Sequence, residues 1–194
     1  MRKKRISEAS GREKRKRSVT MALFYFDEYV KEREAIGDYT PVIERLESIY
    51  TATAKAETVT SLVGYSWYYL IEGDVNTATV NYDYELHLKK FKQYIDIGLE
   101  KFSDDEGFCF TAGYCLDLHG FYLGEEYERK GKELMKKCLQ SSRDGALGCL
   151  AEIFLSDGKK KKHDEQRINA AVAELFPSGS LLDKYFRQIF SARK

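Results

Sequence analysis

Catalysis needs nucleophiles, acid–base pairs or metal ligands at workable spacing, and this 194-residue chain offers few. Its histidines are His87, His119 and His163, and none stands beside a serine or cysteine in a nucleophile motif such as GxSxG. Cys115 and His119 lie four residues apart, on one face of an expected helix, and could begin a metal site if two further ligands converged. Cys138 and Cys149 recur at core-like spacing on other helices, so the pattern favours burial, and no metal or cofactor is expected. The acid pairs Asp104 and Asp105, and Glu125 and Glu126, fall at expected helix starts, where carboxylates stabilise the dipole. No P-loop or dinucleotide glycine pattern occurs. The chain is therefore expected not to be an enzyme.

Binding chemistry is better represented. Tyr65, Tyr68 and Glu72 share the non-core face of the third expected helix, Phe110, Tyr114 and Asp117 that of the fifth, and Glu152 that of the seventh. Aromatic rings supply much of the energy of protein interfaces, and acids select a basic partner. The charge distribution agrees. Residues 1–20 hold nine Lys or Arg and two Glu, hence +7, so residues 21–194 carry 1 − 7 = −6. An acidic body disfavours nucleic acid, except through the basic residues 1–20, which are expected to form a disordered tail or to precede a true start at Met21. A nucleic-acid-associated protein working through that tail is the alternative reading.

The elements that position these residues are helical throughout. Leu23, Phe26 and Val30 mark a first helix closed by Gly37, and Thr40 with Pro41 opens a second. Residues 58–72 form a third with no charge before Glu72. Leu88, Phe91, Ile95, Leu99 and Phe102 give the clearest amphipathic stripe. Phe108, Ala112, Cys115 and His119 mark the core face of a fifth helix, and Tyr127, Gly131, Leu134 and Cys138 that of a sixth. Leu147, Ala151 and Phe154 continue in a seventh, and Ile168, Ala171, Val172 and Leu175 in an eighth. The lysines at 159–162 are expected to open the eighth, an unfavourable place for cations, and Ser180 with Asp183 opens a ninth bearing Leu182, Phe186 and Ile189. Ser103, Gly107 and Gly120 recur 38 residues later as Ser141, Gly145 and Gly158. Ser103 with Glu106, and Ser141 with Asp144, read as repeated capping pairs.

That period, with Gly113 and Leu116 in one helix and Gly131 in the next, resembles the tetratricopeptide and Sel1-like repeat families over residues 58–176. The resemblance implies an all-α stack of antiparallel helix pairs, a TPR-like α-solenoid of about nine helices with a C-terminal capping helix. It also implies a concave groove lined by first helices, here the aromatic and acidic stripe. The chain as a whole resembles the small acidic helical immunity proteins that neutralise bacterial toxins, which implies a basic toxin domain as partner. The four cysteines form no CxxC pair, and the longest uncharged run, residues 58–71, is shorter than the ~20 residues a spanning helix needs. A single cytoplasmic domain at 21–194, with no membrane partner, is expected.

Overall fold

The computed structural model describes residues 22–73, 82–156 and 164–191. The chain is all-α within them. Its helices are α1 (Glu28–Ala35), α2 (Thr40–Thr53), α3 (Ala56–Glu72), α4 (Tyr84–Lys101), α5 (Glu106–His119), α6 (Glu125–Ser141), α7 (Ala146–Leu155), α8 (Asp164–Leu175) and α9 (Leu181–Ser191). A 3-10 turn at Gly120–Tyr122 joins α5 to α6, and no strand occurs among the described residues. No helix among them is long and apolar enough to cross a membrane. The basic residues 1–20, the polar break at 74–79, His163 and the lysines at 159–162 lie outside the described residues.

Two helices form the centre. α3 carries no charged side chain between Glu57 and Glu72, and a helix apolar on every side has to be covered on every side. Neighbours α2, α4, α5 and α9 cover it. α5 is enclosed by α3, α6 and α7, and every residue from Phe108 to Leu116 is buried. The α5–α6 crossing is close because of two glycines. A Cβ on Gly113 would stand 2.8 Å from the Met135 backbone nitrogen, and one on Gly131 would run into the backbone of Leu116 and Asp117. Backbone cannot rotate aside as a side chain can, so both positions require glycine.

The repeated capping pairs do not form. Asp105, not Ser103, caps α5, its carboxylate accepting from Phe108 N–H at 2.9 Å. Ser103 instead offers its carbonyl to the Cys109 thiol. Ser141 falls in the last turn of α6, where its hydroxyl donates back to the Lys137 carbonyl, and α7 opens at Gly145 without a side-chain cap. The sixth helix runs on far enough to absorb the serine, so its hydroxyl satisfies a helix end rather than a helix start. Ser180 does cap α9, accepting from Asp183 N–H at 3.0 Å, while the Asp183 carboxylate accepts from Ser178 N–H at 2.7 Å.

The first helix is also shorter than its apolar spacing suggests. Leu23 and Phe26 precede it in a non-helical segment, and Asp27 is the cap, accepting from Val30 N–H. That segment crosses α3. Tyr25 N–H donates to Ser61 Oγ, the Tyr65 hydroxyl donates to the Tyr25 carbonyl, and Leu23 N–H donates to the Leu175 carbonyl at 2.9 Å. These tertiary bonds satisfy backbone groups that a longer helix would have satisfied internally.

α9 departs furthest from expectation. Rather than closing the end of a stack, it lies across α3 and α5. The Phe186 ring stands 4.9 Å from Tyr114, 5.0 Å from Phe176, 5.4 Å from Phe24 and 6.2 Å from Phe110. Phe190 packs against Phe110 and Tyr114. Arg187 fixes the turn before the helix by donating to the carbonyls of Phe176 and Ser178.

Candidate binding surface

The expected groove is filled from within. Tyr65 and Phe110 are 0% exposed and Tyr114 is 1% exposed, so none of the three can meet a partner in this conformation. α9 supplies rings that cover Phe110 and Tyr114, while Tyr65 packs on Tyr69 and its hydroxyl donates to the Tyr25 carbonyl. Tyr68 is half-buried, edge-on to Tyr69 and Tyr185, and the Tyr114 and Tyr185 hydroxyls share a hydrogen bond at 3.2 Å. Glu72 and Asp117 are half-buried. Glu152 is exposed, with Arg167 at 4.0 Å. The acids thus stand at the edge of an aromatic core, not in an open groove.

Cys115 is buried, and burial holds its thiol well above the usual range; burial likewise pushes Cys138 up to about 12 and Cys109 up to about 11. His119 is not a core residue. It stands at the rim, where its Nδ1 accepts from Trp67 Nε1–H at 3.1 Å. An accepting Nδ1 places the ring proton on Nε2 and the ring in its neutral form, and burial lowers its affinity for a second proton. Among the described residues no three His, Cys, Asp or Glu side chains come together as metal ligands.

The surface beyond His119 has a different character. Gly120 ends α5, and a Cβ there would stand 2.7 Å from the Glu128 backbone nitrogen, so the turn can rest on α6 only with glycine at this position. Gly124, at φ 119°, then leads the chain into α6. So short a turn has no interior. Phe121 is left 57% exposed and Tyr122 47% exposed, with Leu118 and Tyr84 also exposed. The rings are nevertheless braced. Phe121 and Tyr122 stand 4.2 Å apart, Tyr122 lies within 6° of parallel to the His119 ring, and His119 is tied to the buried Trp67. Exposed Glu85, Glu125 and Glu126 lie within a few residues of these rings in sequence. Phe121 and Tyr122 match no helical period, which is why periodicity passes over them. The signal that could have found them is an aromatic pair between Gly120 and Gly124, where no helix face exists to take the rings in.

Comparison with protein-family models, with curated proteins and with solved structures gave no match.

Proposed function

We propose that the chain is a non-enzymatic binding module that docks a protein partner on the aromatic turn formed by Phe121 and Tyr122, flanked by Leu118 and Tyr84. The exposure of two braced rings carries this reading. Large aromatics dominate interface energetics, and rings already held in place lose little freedom on binding. The −6 charge of residues 21–194 and the neighbouring acids favour a partner with a basic surface. An immunity-type protein covering a basic toxin domain is the narrower form of the same reading and uses the same surface.

A TPR-like stack is the architecture we infer behind it. The pairs α3–α4, α5–α6 and α7–α8 pack within themselves, and α3 with α5 and α5 with α7 bring first helices side by side. Free, buried cysteines suit a reducing compartment, the cytoplasm.

The test is a double substitution, Phe121→Ser with Tyr122→Ser. A partner captured on the wild-type chain, identified and purified, is titrated against both proteins. Affinity should fall by roughly 100-fold or more while stability changes by less than about 0.5 kcal/mol, as befits exposed positions. Equal affinity would remove the turn from the interface.

A further inference from the structure

A hydrogen bond from the core ties the aromatic turn in place. Trp67, the chain's single tryptophan, is 0% exposed and packs on the rings of Tyr114, Tyr185 and Phe186, so its indole is fixed. An indole N–H is a donor only, and this one donates to His119 Nδ1 at 3.1 Å. The same imidazole stacks on Tyr122, with ring centres 5.9 Å apart, and stands 6.1 Å from Phe121. Trp67, His119 and the two exposed rings thus form a line from the interior to the surface.

Protonation of His119 breaks that line. An imidazolium donates from both nitrogens, so Trp67 Nε1–H would meet a second N–H where it now finds an acceptor. The buried indole is held on several sides and cannot follow. His119 can, because it is half-buried and occupies the last position of α5, where the free carbonyls of the helix end attract a cation. A charged ring is therefore better placed swung out over the helix end than kept against Trp67. Tyr122 then loses the ring it stacks on, and the turn loses its tie to the core.

No charged side chain holds the imidazole in one state. The groups that face it are Trp67 from α3 and Phe121 and Tyr122 from the turn, all uncharged side chains. Asp117 is two residues earlier on α5 and so on another face. Glu72 of α3 acts on Tyr68, and Glu85 of α4 on Tyr84. On α6, Glu125 is exposed, Glu126 pairs with Lys130 at 2.6 Å, and Glu128 pairs with Lys132 at 3.8 Å. Burial is what lowers the proton affinity of His119.

We propose that His119 is a pH-dependent clasp on the aromatic turn: neutral, it holds Tyr122 and Phe121 in their docking arrangement, and protonated, it leaves Trp67 and frees them, so that a partner is held at neutral pH and released in mild acid. Partner release rests on the turn being the docking surface, whereas the clasp is a property of the chain alone.

The clasp is read by NMR on the free, 15N-labelled chain, in which the indole N–H resonance belongs to Trp67. Between about pH 8 and about pH 5 that resonance and the amide resonances of Phe121 and Tyr122 should move along one titration curve, with a midpoint below the ordinary imidazole value of 6.5. His119→Asn keeps an acceptor near the position of Nδ1 but takes no proton in this range, so it should hold all three still; His87 titrates in both proteins. A Trp67 resonance that stays put, or moves equally in His119→Asn, overturns the clasp, and so does a Trp67 titration that leaves Phe121 and Tyr122 where they were. Loose rings must be ordered on binding, so affinity for the purified partner should fall about tenfold across the same range in the wild type and not in His119→Asn. A working clasp with pH-independent affinity overturns partner release and counts against the turn as the interface. Loss of the clasp alone leaves docking on the turn to be judged by the Phe121→Ser, Tyr122→Ser variant.

Discussion

At Gly113 two effects oppose each other. Alanine is the better helix former by about 1 kcal/mol, yet its methyl would stand 2.8 Å from the Met135 backbone nitrogen. Overpacking against backbone costs about 1–3 kcal/mol, so Gly113→Ala should destabilise the chain on balance, and Gly131→Ala should do so by at least as much. Chemical denaturation measures both, and a stabilised Gly113→Ala would mean that the crossing opens easily. Glu34 gives a pH prediction. Its carboxylate accepts from Leu181 N–H at 3.0 Å and from the Tyr69 hydroxyl, and burial raises its pKa to about 7 despite those bonds and the nearby Lys184; Asp183 raises it further. The folded value lies above the unfolded one, near 4.5, so Glu34's contribution is fully present below that pH and is lost as pH rises through 7. Wild type should therefore lose melting temperature relative to Glu34→Gln between pH 5 and pH 8. Lowered His87 and His119 act in the opposite sense, contributing above about 6.5 and less as pH falls, but they are common to both proteins and cancel in the comparison. The four buried thiols add a third expectation. A thiol-reactive dye should label none of them in the native protein and all of them in denaturant, and fast native labelling would show local opening.

At the scale of elements, α9 decides the interior. Phe186 touches rings from the segment before α1, from α3, from α5 and from the stretch after α8, so Phe186→Ala should cost about 3–5 kcal/mol, read by urea denaturation. A much smaller loss would mean that α9 rests on the core without completing it. The same helix shows what the sequence could tell. Apolar spacing found α3 to α9 because each helix carries its own period, and the uncharged α3 announced that it would be covered on several sides. What covers α3 depends on residues 120 positions away, and nothing local in Phe186 or Phe190 distinguishes an end cap from a helix laid across the centre. Tyr65, Phe110 and Tyr114 were misplaced for that reason: face patterns name the side of a helix but not the element that meets it. Ser141 failed differently, because a capping pair inside a longer helix reads the same as one at its start.

At the scale of the molecule, the inner helices separate two unlike ends. Their C-terminal end presents Phe121, Tyr122 and Tyr84, and their N-terminal end presents the carboxylates around Thr60. α3 alone, at 17 residues and ~1.5 Å per residue, holds these ends about 25 Å apart. A partner docked on the aromatic end therefore leaves the acidic end free. Because opposite charge steers encounter, raising salt should slow association with a basic partner far more than it speeds dissociation, which stopped-flow mixing resolves. A salt-independent association rate would mean that the body charge takes no part.

The ties between the two ends of the described chain bear on how it is made. Leu23 hydrogen-bonds to Leu175, and α9 lies over Tyr114 and Phe110. A ribosome releases residues in order, so while α3 and α5 are already outside, the helix that covers them has yet to be synthesised. The nascent chain thus carries a bare aromatic face until α9 emerges, and the contacts that cover Phe110 and Tyr114 can form only from then on.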